Sequence, residues 1–530
     1  MIFTLHRYIF KELFRVFILT AVALTLILSF GSILRPVQEY GVGPRQVINL
    51  MGYFLPITLT FVLPMAALFA GALVYGRFTS DNELDACRAS GISLLTLVYP
   101  GLVLAILVAI ANLLLSFHVM PAFIHLAEKS LKANAKQILF RNIQQKRYYK
   151  LPPDEQYLIY ADHADEKNNA MSGVVVVELK GNEIRKIITA EGAKISFRLD
   201  KLFNEVRIVA YRANQMGAED EGSAELLELT AEFGSLLGDD IKFKKIYEMK
   251  KIQNDLMQFY PVSKLARDTF AQLVTDLLAH DIKAKMTGDN FYELLGSPNS
   301  VRFTAGQCNL KDEEEIELSD GVMVVEYDTD TGQTLRTLKC SRASLHLEGD
   351  KLTPTLTMDV YDVRVEDSGE LKMRYIVRGL LPPVAVETMA SEFRTENGSS
   401  LKAEELSSDL SRLQPSPQLK KLQAQLKRKI LKTLVQIKSE KHSRLVFGIG
   451  CISMILIGIG LGIIKKGGHM LSAFGVSCVP AAVLIVCIMS GKQLTENLGS
   501  RSISGVALMW GGLAFLSLLA VAIYGWLLKN

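Results

Sequence analysis

The chain has 530 residues, of which 49% are hydrophobic and 22% are charged, and its mean hydropathy is +0.22. A soluble protein of this length would usually form two or three domains and have a negative mean hydropathy, so the composition excludes an ordinary cytosolic enzyme. The net charge of +4 is spread over apolar and polar regions and gives no indication of nucleic-acid binding. Six cysteines are too few for a disulfide scaffold.

Six long stretches contain almost no charged residues, and each is about as long as the roughly 20 residues that a helix needs to cross a bilayer. They are residues 16–34, 46–76, 92–117, 445–464, 467–491 and 502–528. Before the first stretch, residues 1–17 mix basic and apolar side chains, which predicts an interfacial helix rather than a cleaved signal peptide. The sequence therefore predicts three spans, a large polar region and three more spans.

Lysine and arginine in short loops predict the orientation of these spans. With the N-terminus in the cytoplasm, eight basic residues flank the inner ends of the spans and four flank the outer ends. We therefore expect both termini in the cytoplasm and the polar region outside it. Seven basic residues between 427 and 444 conflict with this orientation, although long domains cross membranes largely regardless of charge.

The polar region, residues 118–444, is predicted to form one domain with two β-rich blocks and a helical middle at about 217–300. The run GVVVVE at 173–178 is echoed by GVMVVE at 321–326, and each block ends near a tyrosine. This echo predicts a duplicated or two-part β-sandwich, with a chance likeness between two meanders as the alternative. Cys308 and Cys340 could pair if the domain lies in an oxidising compartment.

The sequence contains no pattern that supports covalent or hydrolytic catalysis, since Walker A, HExxH, paired CxxC and GxSxG motifs are missing. The glycine-rich run 458–465 lies in an apolar span and fits close helix–helix packing. His118 and His125 share a helix face, but a metal site there would need more ligands, so a packing role is favoured. We expect a chain with no catalytic residues, no metal site and no cofactor.

The loop between the second and third spans has an unusual pattern, Ser80-Asp-Asn-Glu-Leu-Asp-Ala-Cys-Arg-Ala-Ser-Gly-Ile-Ser93. Ser80 and Glu83 have the spacing of a capping box, and Gly91 is typical of a helix C-terminus. The loop is therefore predicted to form a helix of about two to three turns over 80–91, on the cytoplasmic face.

This loop helix has two possible roles. It could be a capped connector in which Glu83 only satisfies its own helix end. It could equally be a docking helix whose Asp81, Glu83, Asp85 and Arg88 engage a cytoplasmic partner.

The segment 80–93 resembles the coupling-helix signature of LptF/LptG (YjgP/YjgQ) permeases, the membrane subunits of the ATP-binding cassette transporter that exports lipopolysaccharide. The three-plus-three arrangement of spans agrees with this resemblance, as do the leader 8–13 and the entry to the fourth span at 442–444. Gly460 stands where proline is usual. The resemblance covers about 1–215 and 350–530, so residues 217–350 look like an insertion or duplication.

The resemblance implies a fold class. This is an α-helical membrane protein with six transmembrane helices and a large inserted extracytoplasmic β-rich, jellyroll-like domain with a helical insertion. Residues 1–117 would hold the interfacial helix and spans one to three, 118–444 the periplasmic domain, and 445–530 spans four to six. The location implied is the bacterial inner membrane.

The resemblance also implies partners and site residues. The partners are a cytoplasmic LptB-like ATPase dimer, a second LptF/LptG-type permease, an LptC/LptA-like periplasmic bridge protein and the lipid substrate. ATP would be hydrolysed by the partner and not by this chain. Asp81, Glu83, Asp85 and Arg88 would contact the ATPase.

Lipopolysaccharide has anionic head groups and several acyl chains, so its site needs cations at the outer membrane surface above an apolar cavity. Arg35 and Arg45, at the outer ends of the first two spans, are predicted to meet its phosphates. The alternative is that both side chains only extend to the interface. The basic segment 427–444 could also meet anionic head groups, although a solvated charged face is the simpler interpretation.

Two other functions compete with transport of this kind. One is a membrane-anchored sensor or scaffold whose β domain binds a ligand. The other is a permease of the MacB type, but that type normally has four spans.

Overall fold

The computed structural model describes most of the chain, in segments separated by short gaps. The segments are residues 2–40, 44–133, 135–150, 157–180, 183–199, 204–217, 221–233, 240–286, 291–311, 315–349, 351–365, 371–395, 398, 400–408, 414–464, 470–497 and 502–529. The chain divides into two compact units, one of residues 1–250 with 432–530 and one of residues 251–431.

Six helices in the described part of the chain are long and apolar enough to cross a membrane, which confirms the predicted three-plus-three pattern. They are α1 (Ile2–Tyr40), α2 (Pro44–Ser80), α4 (Leu94–Leu114), which continues through a π-helical turn (Leu115–Val119) into α5 (Met120–Ala133), α11 (Pro417–Ile464), α12 (Met470–Glu496) and α13 (Ser502–Lys529). The short helix α3 (Glu83–Ala89) joins α2 to α4, and α6 (Ala135–Lys146) follows α5.

Helices α1 and α11 continue well beyond their apolar stretches. The predicted interfacial segment and the first span form one helix of 39 residues. The lysine-rich segment before span four and the span itself belong to one helix of 48 residues. In α1, buried Ile9, Leu13, Phe17 and Ala21 recur every four residues and form one stripe, because a helix turns once every 3.6 residues.

Glycines allow α2 and α11 to approach each other closely. A Cβ atom on Gly458 would lie 2.5 Å from the Leu68 carbonyl oxygen, and one on Gly462 would lie 2.7 Å from the Ala72 carbonyl oxygen. Real Cβ atoms essentially never come within 3.0 Å of such a neighbour. The glycine-rich run therefore packs helix on helix, as the sequence predicted.

The first sheet belongs to the same unit as the membrane helices and has six antiparallel strands in chain order. They are β1 (Tyr148–Lys150), β2 (Tyr157–Asp165), β3 (Ala170–Lys180), β4 (Glu183–Leu199), β5 (Asn204–Gly217) and β6 (Glu221–Phe233). Leu139, Phe140 and Ile143 of α6 pack against one face, where every second residue, such as Val174 and Val176, is buried. The sequence did not predict β6, which lies in an acidic stretch.

The second sheet lies in the other unit and has seven antiparallel strands. They are β7 (Tyr292–Leu294), β8 (Asn299–Thr304), β9 (Gln307–Lys311), β10 (Glu315–Asp328), β11 (Thr334–Glu348), β12 (Thr355–Val365) and β13 (Leu371–Leu380), in the order β13-β12-β11-β10-β8-β7 with β9 also paired to β10. In the chain, α7 (Ile246–Asn254) and α8 (Tyr260–Lys285) come before it, and α9 (Val384–Ser391) and α10 (Ala403–Leu406) come after it.

Both sheets curl, and their ladders are interrupted at matching positions. Gly173 of β3 and Gly321 of β10 have φ angles of 60° and 67°. Arg212 of β5 and Asp362 of β12 also have positive φ, and each directly follows the tyrosine near the end of its block. All four residues are skipped in the strand register. The two similar sequence blocks therefore form two separate sheets, and each sheet has its irregularities at the corresponding positions.

Cys308 and Cys340 are both free thiols, so the possible pairing does not occur. Cys308 lies opposite Leu318 on one side of β10, and Cys340 lies opposite Val322 on the other side. The two cysteines are therefore at least two strand spacings apart, about 10 Å. This distance exceeds the roughly 7 Å between Cα atoms that a disulfide can bridge.

Candidate functional site

Helix α3 lies at the end of the helical bundle where α2 ends and α4 begins, here called the α3 end. Leu84 is only 4% exposed and belongs to the apolar core that includes Phe78 and Leu94. Glu83 and Arg88 are exposed, while Asp85 is half-buried. One leucine therefore anchors the helix and leaves charged side chains at its surface.

The N-terminus of α3 differs from the prediction. Helix α2 extends through Ser80, and the residue before α3 is Asn82, which has a left-handed φ of 57° and no side-chain capping bond. The predicted capping box of Ser80 and Glu83 is therefore wrong, because Ser80 still belongs to the preceding helix. Asp81 lies exposed between the two helices and outside the first turn of α3. Asparagine tolerates the left-handed conformation better than most residues, which explains why the chain turns there.

The C-terminus of α3 has the predicted glycine stop. Gly91 has a φ of 82°, and its N–H donates to the Arg88 carbonyl at 2.9 Å. The N–H of Ile92 donates to the Cys87 carbonyl at 3.1 Å. These two bonds form a Schellman motif, in which a residue with positive φ satisfies the last carbonyls of a helix.

Polar contacts connect the helices around α3. The Tyr75 hydroxyl donates to the Leu97 carbonyl at 2.8 Å and connects α2 to α4. Arg77 of α2 pairs with Glu12 of α1 at 3.0 Å. Sequence reasoning missed this ion pair, although both residues lie in segments predicted to end at the same membrane surface.

The opposite end of the bundle, here called the far end, is where α1 ends and α2 begins. Arg35 lies near the end of α1, and Arg45 lies near the start of α2. Their side chains lie outside the described residues, so their role stays a prediction. Since α3 follows the other end of α2, and Arg35 lies near the same end of the bundle as Arg45, both arginines are separated from α3 by the length of a span.

A buried ionic cluster, which sequence reasoning did not identify, also lies at the far end. The Arg444 side chain of α11 is 3% exposed, and its Nε donates to Glu440 Oε1 at 2.9 Å. Lys492, near the end of α12, donates to the other oxygen of Glu440. The cluster thus holds two cations and one carboxylate and connects α11 to α12. In the sequence, the cluster was indicated locally by the four-residue spacing of Glu440 and Arg444, which places both side chains on one helix face.

Arg444 also binds the chain at the end of the third span. Met120 N–H donates to the Leu115 carbonyl five residues earlier, as in a π-helix, and Pro121 has no N–H to offer. The Ser116 carbonyl therefore lacks a donor from Pro121, and Arg444 Nη1 donates to it at 3.1 Å. The proline thus leaves a carbonyl open for a buried guanidinium.

The predicted histidine pair does not form a metal site in the part of the chain that the structure describes. His125 Nε2 lies 3.0 Å from Glu248 Oε1, which joins α5 to α7. Among the described residues, no group of three or more His, Cys, Asp or Glu side chains is arranged to hold a metal ion.

In the comparison with protein families, the chain matches the model described as lipopolysaccharide export system permease LptF/LptG. It covers residues 7–218 and 310–529, and no curated protein matches the chain. The unmatched interior, 219–309, is shorter than the predicted 217–350, because β10 and β11 fall inside the matched region. Most of the chain, including α3 and all six spans, is matched, and the chain therefore belongs to the LptF/LptG family of lipopolysaccharide export permeases.

Proposed function

We propose that this chain is the non-catalytic permease subunit of an ATP-binding cassette transporter in the bacterial inner membrane. In this role it extracts lipopolysaccharide, or a related lipid, and passes it to a periplasmic bridge protein. Family membership supports lipid export, and one structural observation supports the coupling. Helix α3 is attached directly to two spanning helices, is anchored by a buried leucine and presents charged side chains outward.

The structure suggests how movement at α3 would reach the rest of the bundle. Helix α2 touches α11 through backbone at Gly458 and Gly462, so no flexible side chain lies between them at those points. Close-packed interfaces transmit displacement because they have no spare volume to absorb it. Closure of an ATPase dimer against α3 would therefore move α2 and α11 together.

Asp81, Glu83, Asp85 and Arg88 are proposed to contact the LptB-like ATPase. The test is co-purification of the ATPase with the full chain and its partner permease. Glu83→Ala and Arg88→Glu should abolish or strongly reduce recovery of the ATPase, whereas Lys194→Glu, an exposed site on β4, should not. If Arg88→Glu leaves recovery intact, the docking assignment is wrong.

A second variant separates docking from transmission. Leu84→Ala keeps the exposed charges but removes the buried side chain that anchors α3. We expect the ATPase still to bind, while lipid release from proteoliposomes falls. Loss of binding to the same degree as in Arg88→Glu would mean that Leu84 shapes the docking surface itself.

Arg35 and Arg45 are proposed to bind the anionic head group of the lipid at the far end. Arg35 lies near the end of α1 and Arg45 near the start of α2, so the two residues are close together in the sequence. Arg35→Gln and Arg45→Gln should reduce photocrosslinking to lipopolysaccharide, and the corresponding lysine variants should retain most of it. Equal loss in the lysine and glutamine variants would contradict a role for charge.

The proposed orientation places α3 in the cytoplasm and the sheets in the periplasm. Asn168, in the turn between β2 and β3, and Ser90, at the end of α3, are both exposed and suit a matched pair of cysteine variants. An impermeant maleimide added to intact spheroplasts should label Asn168→Cys and not Ser90→Cys, relative to the parent chain. The reverse pattern would contradict the orientation.

The alternative function is a membrane-anchored sensor or scaffold without transport. It predicts that no ATPase co-purifies with the chain under any condition and that no second permease of this type accompanies it. The same pull-down therefore separates the two functions.

A further inference from the structure

The segment 240–250 lies against the membrane helices at the far end, and it belongs to the interior that the family model leaves unmatched. Arg444 Nη2 of α11 donates to the Lys242 carbonyl at 2.8 Å. Glu248 of α7 pairs with His125 of α5 at 3.0 Å. The segment is therefore attached at two points, to α5 after span three and to the part of α11 that precedes span four.

Local hydrogen bonds give this segment a defined shape. Asp240 Oδ1 accepts the Lys242 N–H at 3.0 Å and begins a short 3₁₀ turn. Glu248 Oε2 accepts the Lys245 N–H at 2.7 Å at the start of α7. Met249 is buried, whereas Tyr247 is 59% exposed, so α7 has one apolar face and one open face.

The segment 240–250 and the adjoining part of α11 are rich in lysine. Residues 240–250 carry four lysines, and two more lie on the adjacent turns of α11; we call the six the lysine patch, namely Lys242, Lys244, Lys245, Lys250, Lys438 and Lys441. Lys250 and Lys441 are close enough for their charges to interact. Like charges repel one another, so an anion that binds among the lysines would stabilise this surface.

The carboxylates of the two segments already have partners, one of which is a lysine of the patch. Asp240 pairs with Lys242 at 2.9 Å, and Glu248 pairs with His125. Glu440 is shared by the Arg444 and Lys492 side chains. In the described part of the chain, Lys244, Lys245, Lys250 and Lys438 form no ion pair with a carboxylate, so their positive charge is available to an external anion.

The patch lies at the level where lipid phosphates are expected. The apolar stretch of α11 begins at Leu445, directly after Arg444 and one turn after Lys441. Exposed tyrosines such as Tyr247 favour the same interfacial zone, since one end of the ring is apolar and the other is polar. Lysines near an anionic membrane surface gain binding energy from it.

We propose that the lysine patch binds the phosphate groups of anionic phospholipids and so holds the segment 240–250 on the membrane surface at the far end. This gives a role to basic residues that otherwise oppose the orientation derived from loop charges. It uses bilayer phospholipid alone and does not depend on transport of lipopolysaccharide.

The test compares hydrogen–deuterium exchange of residues 240–250 in the full chain, in nanodiscs of phosphatidylcholine with or without phosphatidylglycerol. No lipopolysaccharide is present. We expect slower exchange with phosphatidylglycerol, by about fivefold for each lysine that contributes, and loss of the difference in about 0.5 M salt. Equal exchange in the two kinds of disc would overturn the proposal.

Two variants show whether the lysines are responsible. Lys245→Gln with Lys250→Gln should remove most of the slowing, whereas Lys245→Arg with Lys250→Arg should keep it. The matched control, Lys167→Gln with Lys194→Gln on the first sheet, changes the net charge equally and should have no effect. An equal loss in the control, or in the arginine variant, would overturn the assignment to this patch.

Discussion

Replacing Gly458 by alanine tests the close contact between α2 and α11. The new Cβ would lie 2.5 Å from the Leu68 carbonyl oxygen, and ordinary contact begins at 3.4 Å, so the helices must separate by about 0.9 Å. A gap of roughly 0.5–1 Å loses a quarter to a half of each dispersion contact along the interface. Overpacking of this kind costs about 1–3 kcal/mol.

Gly525 of α13 provides the matched control, because a Cβ atom there would meet nothing within 4 Å. Any gain in helix propensity from alanine is common to the two variants, so their difference isolates the contact with α2. We expect Gly458→Ala to be less stable than Gly525→Ala by about 1–3 kcal/mol in equilibrium unfolding from mixed detergent micelles.

A second alanine substitution tests the same contact one turn further along α11. Gly462→Ala requires a similar separation, since its Cβ would lie 2.7 Å from the Ala72 carbonyl oxygen. One movement of the helices relieves both overlaps, so the double variant should lose less stability than the sum of the single losses. If Gly458→Ala and Gly525→Ala agree within about 0.5 kcal/mol, α2 and α11 are not in the close contact described.

Three further predictions concern other contacts. Arg444→Ala should lower the free energy of unfolding by about 1–3 kcal/mol, because it leaves the Ser116 carbonyl without this donor and Glu440 with Lys492 as its remaining cation. Arg444→Lys should not restore the loss, since lysine lacks the planar fork, and full restoration would contradict this account. Gly91→Ala should cost about 1–2 kcal/mol at the end of α3, seen as faster proteolysis there, because its φ is 82°. Burial acts to raise the pKa of Glu248, but the ion-pair contact with His125, the hydrogen bond from the Lys245 amide and the nearby positive charges outweigh it and lower the pKa to about 2. The ionised Glu248 carboxylate therefore stabilises the fold fully above the usual glutamate pKa of about 4.5, and this stabilisation is lost as the pH falls toward 2. The difference in the free energy of unfolding between the parent chain and Glu248→Gln should shrink over that interval.

Several features of this protein follow from the sequence alone, because their signals are local. A span is a run of apolar residues, and the sequence contains six of them at the positions of the six membrane helices. The turn after α3 needs a residue that adopts positive φ easily, and Gly91 is that residue. The small residues Gly458 and Gly462 indicate a close helix contact, although not with which helix.

At the start of α3, two local sequence patterns favoured different structures, and tertiary packing determined which one forms. Ser80 and Glu83 fit a capping box, but apolar packing of Phe78 continues α2 through Ser80, and the chain turns at Asn82 instead. A capping bond is worth about 1 kcal/mol, which burial of one large apolar side chain easily exceeds.

The cluster around Arg444 depends on tertiary structure for a different reason. Pro121 predicts a disturbed helix wherever it occurs, but the donor that satisfies Ser116 is 328 residues away in the chain. Only packing of the fourth span against the third brings the guanidinium to that carbonyl. Periodicity, caps and turns are determined within one or two helical turns, whereas a buried charge is stable only where distant segments together supply its partners.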